Sequence, residues 1–269
     1  MDIDYKKIAD IAMQAALEGG DIARRQLGRR GSVQWKGSMD VSMPVTTEIQ
    51  DRIIDILRSE YPEIPILSEE LEPKPPPDSD ALWIVDPIDG SLNYMKGIPS
   101  YAVSIGFRHK KLYRVGVVYD PSREELFHAI RNQGSFLNGS RIKTSWFSEG
   151  VEAYLAAFVA TDWPDDLMKR KQTVQVIDIM MGDVVSINIF GSPALAICQI
   201  AAGRLDAYFN LQLNLWDIAA AVVILEDAGG VLTDLVGATW EFSDGGYLAT
   251  NGKVHGRMLD PIRLARLGR

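Results

Sequence analysis

Apolar residues at Ile8, Ile11, Ala12, Ala15 and Ile22 recur at helical spacing and predict an amphipathic helix over residues 4–27. Gly19-Gly20 weakens that helix, and a close helix–helix contact would explain the pair. Residues 28–44 are polar and rich in Gly and Ser, and read as strand and loop. A second helix is expected over about 46–60, with Thr46 or Thr47 as N-cap, Ile49, Ile53, Ile54 and Leu57 facing inward, and Pro62 as its stop. Ile64-Pro65-Ile66-Leu67 is a short strand leading into Ser68-Glu69-Glu70, and the Pro-rich stretch 72–80 is an exposed loop.

The pattern then changes. Leu82-Trp83-Ile84-Val85 is a continuous apolar strand, and Ala102–Phe107, Tyr113–Tyr119 and Glu125–Ile130 follow as strands of an antiparallel meander. The second half opens with a strand near Val151. It continues with a small-residue helix over Pro193–Ala202 closed by Gly203, a strand over Leu205–Asn210, a helix over Ile218–Ala228 ended by Gly229-Gly230, and a strand over Val231–Asp234. Strands alternating with helices in both halves indicate a layered α/β architecture. Residues 1–150 and 151–269 are its two halves, within one compact unit.

Composition narrows the chemistry. A 269-residue chain with 46% hydrophobic residues can bury a large core. No apolar run approaches membrane-spanning length and the first residues lack a signal-peptide core, so a cytoplasmic protein without a membrane partner is expected. One Cys excludes an internal disulfide, and three His with one Cys disfavour zinc. A net charge of −8 argues against non-specific nucleic-acid binding. Bound divalent cations would reconcile that charge with an anionic substrate.

The most informative run is Trp83-Ile84-Val85-Asp86-Pro87-Ile88-Asp89-Gly90-Ser91. Two carboxylates on one turn at a strand end suit a hard cation, while nearby N–H groups and a hydroxyl suit a phosphate. The same residues also make an ordinary turn. Glu69, Asp217 and Asp51 are further candidate acids. Their alternatives are a solvated Glu69-Glu70 pair, a helix N-cap at Asp217 and a solvent-facing Asp51. If Glu69, Asp86, Asp89 and Asp217 converge within about 5 Å, each like-charged pair costs about 3 kcal/mol at an effective dielectric near 20. Protonation or bound divalent metal must then relieve the cluster, and metal is the simpler answer near neutral pH.

Glu69-Glu70, Asp86-Pro87-Ile88-Asp89-Gly90-Ser91 with Asn93, and Trp216-Asp217 with Ala219-Ala220 and Ala228-Gly229-Gly230 resemble the inositol monophosphatase family. So do Gly97-Ile98-Pro99, Gly134–Gly139, Gly191-Ser192-Pro193-Ala194 and Gly203–Tyr208, in the same order over nearly the whole chain. The resemblance implies a five-layer αβαβα sandwich, shared with fructose-1,6-bisphosphatase, usually as a homodimer. It implies Mg²⁺-dependent, lithium-sensitive hydrolysis of a small phosphorylated metabolite with two to three ions, Mn²⁺ being able to substitute. Glu69, Asp86 and the Ile88 carbonyl would hold one ion, and Asp86, Asp89 and Asp217 a second. Gly90 and Ser91 N–H groups would cradle phosphate, and Ser91, Asp51 and Glu69 would serve catalysis. Gly191, Ser192, Asn210 and Asp217 would face the substrate.

The chain departs from the family pattern at several positions. Ser91 stands where Thr is usual, which keeps the hydroxyl. Matching Asp51 to the family Asp needs a two-residue shift, and a one-residue shift puts Gln50 there. Asn188 stands where many relatives carry Arg, and Asn210 where inositol-specific members often carry Glu, which leaves open fructose 1,6-bisphosphate, 3′-phosphoadenosine 5′-phosphate or histidinol phosphate. Trp163–Asp183, with Lys169-Arg170-Lys171, is either a second phosphate contact or a solvated basic turn. A catalytically silent sensor of a phosphorylated metabolite is the alternative to an enzyme.

Overall fold

The computed structural model describes residues 3–28, 33–35, 41–76, 79–146, 157–240 and 245–266. The strand expected near Val151 falls largely outside them, and the first strand described in the second half is Phe158–Thr161.

The first layer pairs helices α1 (Tyr5–Gln26) and α2 (Pro44–Glu60). Asp4 caps α1 by accepting N–H bonds from Lys6 and Lys7. Pro44 opens α2, so Met43 is its N-cap and Thr46 lies buried in the first turn. This corrects the expected Thr46 or Thr47 cap: proline lacks an N–H and suits the first helical position. The expected helix–helix contact explains Gly19, whereas Gly20 makes room for the sheet below. A Cβ at Gly19 would stand 3.1 Å from Ile53, and one at Gly20 would stand 2.4 Å from the Tyr119 ring.

Beneath these helices lies a seven-stranded sheet in simple sequence order: β3 (Ile66–Ser68), β4 (Ala81–Asp89), β5 (Ala102–His109), β6 (Leu112–Asp120), β7 (Glu125–Ile130), β8 (Ser135–Leu137) and β9 (Ser140–Ile142). Only β3 and β4 are parallel. Strands β1 (Gln34–Trp35) and β2 (Val41–Ser42) form a separate ladder. The unbroken apolar run in β4 follows from burial on both faces. Trp83 and Val85 enter the core under α1 and α2, while Leu82 and Ile84 enter the core on the other side.

That second core is covered by α5 (Pro193–Ala201) and α6 (Leu215–Asp227), and is closed by a five-stranded mixed sheet. Its order is β11 (Ser186–Ile189), β10 (Phe158–Thr161), β12 (Ala207–Leu213), β14 (Gly245–Thr250) and β13 (Val231–Asp234). Helices α4 (Leu167–Met180) and α7 (His255–Arg266) form the outer layer, packing Val176, Met180, Met258 and Ile262 on Val159, Phe209 and Leu248. A short helix, α3 (Ser91–Lys96), follows β4. The architecture is the five-layer αβαβα sandwich. No helix among the described residues is long and apolar enough to cross a membrane.

One contact in this stack sets the site. Gly106 on β5 and Gly116 on β6 are cross-strand partners. Together they leave a shallow groove in the sheet, and Ala219 and Ala220 of α6 settle into it. Asp217 sits one turn earlier on the same helix.

Candidate metal centre

A cavity of about 350 Å³ opens where β4 ends and α6 begins. Asp86 and Asp89 are three residues apart, so regular alternation would send them to opposite faces of the sheet. The β4–β5 register instead shifts between them, with Asp86 opposite Ser104 and Asp89 opposite Ala102. One extra residue is accommodated at Pro87-Ile88, and such a bulge turns both carboxylates to the same side. The Ile88 N–H donates to Asp86 Oδ1 at 3.0 Å. Asp217 joins them from α6. One carboxylate oxygen from each of Asp86, Asp89 and Asp217 lies within 4.8 Å of the others. Glu69, in the turn after β3, lines the same cavity.

The electrostatics show the cost of the cluster. Burial raises the Asp86 carboxyl well above the usual carboxylate range, and the charges of Glu69, Asp89 and Asp217 raise it further. Burial likewise lifts Asp89 to about 7, with the Asp162 charge adding. The Ser192 hydroxyl and the Ala194 N–H oppose that rise, the latter donating to Asp89 Oδ2 at 3.0 Å. At an effective dielectric near 20, carboxylates 4.8 Å apart repel by about 3 kcal/mol per pair.

A divalent cation fits this donor set. All candidate ligands are oxygens, and among the described residues no His or Cys lines the cavity, which selects a hard ion. Oxygens bound to one Mg²⁺ at about 2.1 Å stand at most about 4.2 Å apart, so the cluster needs only a small contraction.

The other expected residues divide. Gly90, Ser91, Gly191, Asn210 and Ile88 line the cavity. Gly90 takes a left-handed conformation (φ 92°), and a Cβ there would meet the Gly191 and Ser100 carbonyls at 2.9 Å. Its missing side chain therefore serves backbone packing between the two halves. Ser192 is wholly buried and does not line the cavity. Its hydroxyl donates to Asp89, making it a support for a ligand instead of a substrate contact. Asn210 Nδ2 donates to Tyr208 Oη and its Oδ1 accepts from the Gln212 N–H, so its amide is already engaged by the protein.

Of the two registers left open for α2, the structure does not bring Asp51 to the cavity. It is solvent-exposed on α2, as are Glu48, Asp55 and Glu60, and it does not line the cavity. The inward face carries Ile49, Gln50 and Ile53, and one residue further turns the side chain about 100° away. Gln50 is buried and accepts the Ser68 hydroxyl at 2.6 Å. No carboxylate of α2 reaches the site. Asp217 is not the N-cap of α6 either. Asn214 is, and its N–H donates to Asp217 Oδ2 at 2.7 Å. Lys169, Arg170 and Lys171 lie on α4, away from the cavity lining.

One residue escaped the sequence reading. Asp162 follows strand β10 as Asp86 lies within β4, and is buried in the cavity wall. It accepts N–H bonds from Phe190, at 2.9 Å, and Gly191, and the Tyr208 hydroxyl at 3.1 Å. The Phe190 carbonyl in turn accepts from Asn93 Nδ2 at 3.1 Å and Ser100 Oγ at 3.2 Å. The only sequence signal is an acid at the end of an apolar strand, before Trp163-Pro164.

The family profile described as the inositol monophosphatase family matches residues 4–265. Among curated relatives, proteins named Nus factor SuhB from Haemophilus influenzae and from Escherichia coli K12 are each 34% identical over 257 residues. Each match covers 94% of this chain and 95% of the relative. Among solved structures, the extragenic suppressor protein suhB from Bartonella henselae is 30% identical with a TM-score of 0.89. An IMPase from Thermotoga maritima is 28% identical with a TM-score of 0.88. Each of these two structural matches covers 96% of this chain and 98% of the other. With fold, site and profile in agreement, the chain belongs to the inositol monophosphatase family.

Proposed function

We propose that this protein hydrolyses a small phosphomonoester with Mg²⁺, Asp86, Asp89 and Asp217 holding the ions together with Glu69 and the Ile88 carbonyl. The observation that carries this reading is the convergence of acids from both halves of the chain within 4.8 Å, in a cavity also lined by Gly90 and Ser91. Bound Mg²⁺ supplies Lewis acidity, lowering the pKa of water and neutralising phosphate oxygens. The chain does the rest. Asp86 and Asp89 are set side by side by the β4 bulge, and Asp217 is placed over them by α6. Ser192 and the Ala194 N–H favour the charged form of Asp89 against the opposing effect of burial. The Ser91 hydroxyl and the start of α3 orient the phosphate.

With no α2 carboxylate lining the cavity, Glu69 is assigned to orient the attacking water. The same proposal puts this protein in the cytoplasm as a homodimer acting on a small phosphorylated metabolite, with no nucleic acid or membrane in its reaction. The test is phosphate release from inositol 1-phosphate, fructose 1,6-bisphosphate, 3′-phosphoadenosine 5′-phosphate and histidinol phosphate at fixed Mg²⁺. At least one should turn over, and Asp89→Asn should abolish that turnover while the protein stays folded. An active, metal-independent Asp89→Asn protein would refute the assignment.

A second reading is favoured by the relatives named Nus factor and by the absent α2 carboxylate. On that reading the fold serves a transcription complex and turnover is secondary. Wild-type protein that binds Mn²⁺ and joins a transcription elongation complex, yet releases no phosphate from any of the four esters, would favour it.

A further inference from the structure

Lys74 lies in the proline-rich segment after the Glu69 turn, with Pro73 before it and Pro75-Pro76 behind it. Its Nζ donates to the Ser68 carbonyl at 2.5 Å and to the Glu69 carbonyl at 2.8 Å. The same ammonium stands 5.1 Å from the centre of the Trp216 ring. Trp216 directly precedes Asp217, and both line the cavity. Glu72 at 3.5 Å completes its surroundings, but that carboxylate is largely exposed and contributes little. One side chain thus ties the main chain carrying Glu69, from the first half, to the aromatic ring beside Asp217, from the second.

We propose that Lys74 is a positioning residue for the metal centre, fixing the separation of Glu69 and Asp217 so that both can serve one group of ions. The inference rests on the metal reading of that cavity. Its physical content is that two charge-assisted hydrogen bonds define where the β3 turn sits, and a cation–π contact locks that turn against α6. The three prolines limit the conformations open to the segment, so little order need be imposed to keep Lys74 in place.

Charge and position make opposite predictions for removing this side chain. An ammonium beside a cation site repels the cation, so by Coulomb's law alone Lys74→Met should tighten divalent binding. Positioning requires that it weaken. The experiment is Mn²⁺ binding to the full-length protein, followed by electron paramagnetic resonance, for wild type, Lys74→Met, Lys74→Arg and Asp86→Asn. Melting of each protein in EDTA is measured alongside.

The expected result is a dissociation constant about tenfold weaker in Lys74→Met and within about threefold of wild type in Lys74→Arg. Asp86→Asn should lose the site. Lys74→Met binding Mn²⁺ as tightly as wild type or more tightly overturns the proposal and leaves the metal reading intact. Wild type binding no Mn²⁺, or Asp86→Asn binding it unchanged, overturns the metal reading itself. If Lys74→Met is unfolded in EDTA, Trp216→Leu removes the cation–π partner while keeping an apolar side chain against the core. It should then weaken Mn²⁺ binding about threefold, and unchanged binding overturns the proposal.

Discussion

Replacing Gly116 by alanine should loosen the metal centre from inside the core. An added Cβ would stand 2.0 Å from the Ala220 carbonyl oxygen and 2.9 Å from its carbon. Real contacts of this kind begin near 3.0 Å, so α6 must recede by about 1 Å. The obstruction is backbone rather than a pliable side chain, and the sheet beneath is buried on both faces. Overpacking of this kind costs about 1–3 kcal/mol, and a backbone collision belongs at the upper end. For a chain of this size, about 3 kcal/mol corresponds to a fall in Tm of roughly 6–12 °C. Asp217 rides one turn from Ala220. Metal ligands tolerate displacements of only about 0.2 Å, so a shift near 1 Å should weaken divalent binding at least tenfold. Gly106→Ala is the graded control, because its Cβ would meet Ala219 at 3.0–3.1 Å and needs a few tenths of an ångström. Thermal melts in EDTA and Mn²⁺ titration of both variants check the reasoning. A Gly116→Ala protein with wild-type Tm would refute the packing argument. One with a lowered Tm but unchanged Mn²⁺ affinity would refute the transmission to Asp217.

Other expectations concern single acids. Asp51→Ala should leave phosphate release within about twofold of wild type, since Asp51 faces solvent; a hundredfold loss would restore it to the site and contradict its placement. Asp162 is raised from 3.8 to about 6 by burial, against the opposing N–H of Gly191, hydroxyl of Tyr208 and N–H of Phe190. An acid whose folded-state pKa lies above its unfolded value favours folding when protonated. That contribution is fully present below pH 3.8 and is lost as pH rises through about 6. The shift is worth about 3 kcal/mol. Asp162→Asn can still accept the two N–H bonds, so its stability relative to wild type should climb between about pH 4 and about pH 7 in urea melts. A relative stability that falls over that interval would show that the charged form is the favoured one.

How much of this was readable from sequence depends on how local each cause is. The β4 strand was legible because burial on both faces demands a continuous apolar run, as Leu82–Val85 shows. The pairing of Asp86 with Asp89 was legible as a motif, though its geometric origin, a bulge at Pro87-Ile88, depends on the register of β5. The small residues Ala219 and Ala220 stood out, while their partners Gly106 and Gly116 did not, because their meeting is set by a helix from the other half. The choice between Asp51 and Gln50 was decidable from helix phase: inward Ile49, Ile53 and Leu57 already put Gln50 on the buried face. Helix α4 escaped notice because Leu167, Met168 and Val174 are exposed on it, which blurs its apolar stripe. Asp162 was invisible because all its partners lie at least 28 residues away. Lys74 read as part of a Pro-rich exposed loop, and only the fold brings Trp216 to it.

The shared use of one cation by acids from both halves can be seen directly by anomalous diffraction from crystals soaked in Mn²⁺. The account predicts a strong peak in contact with carboxylate oxygens of Asp86, Asp89 and Asp217. A cavity without a peak at saturating Mn²⁺, or ions bound only at surface acids such as Asp51, would contradict it.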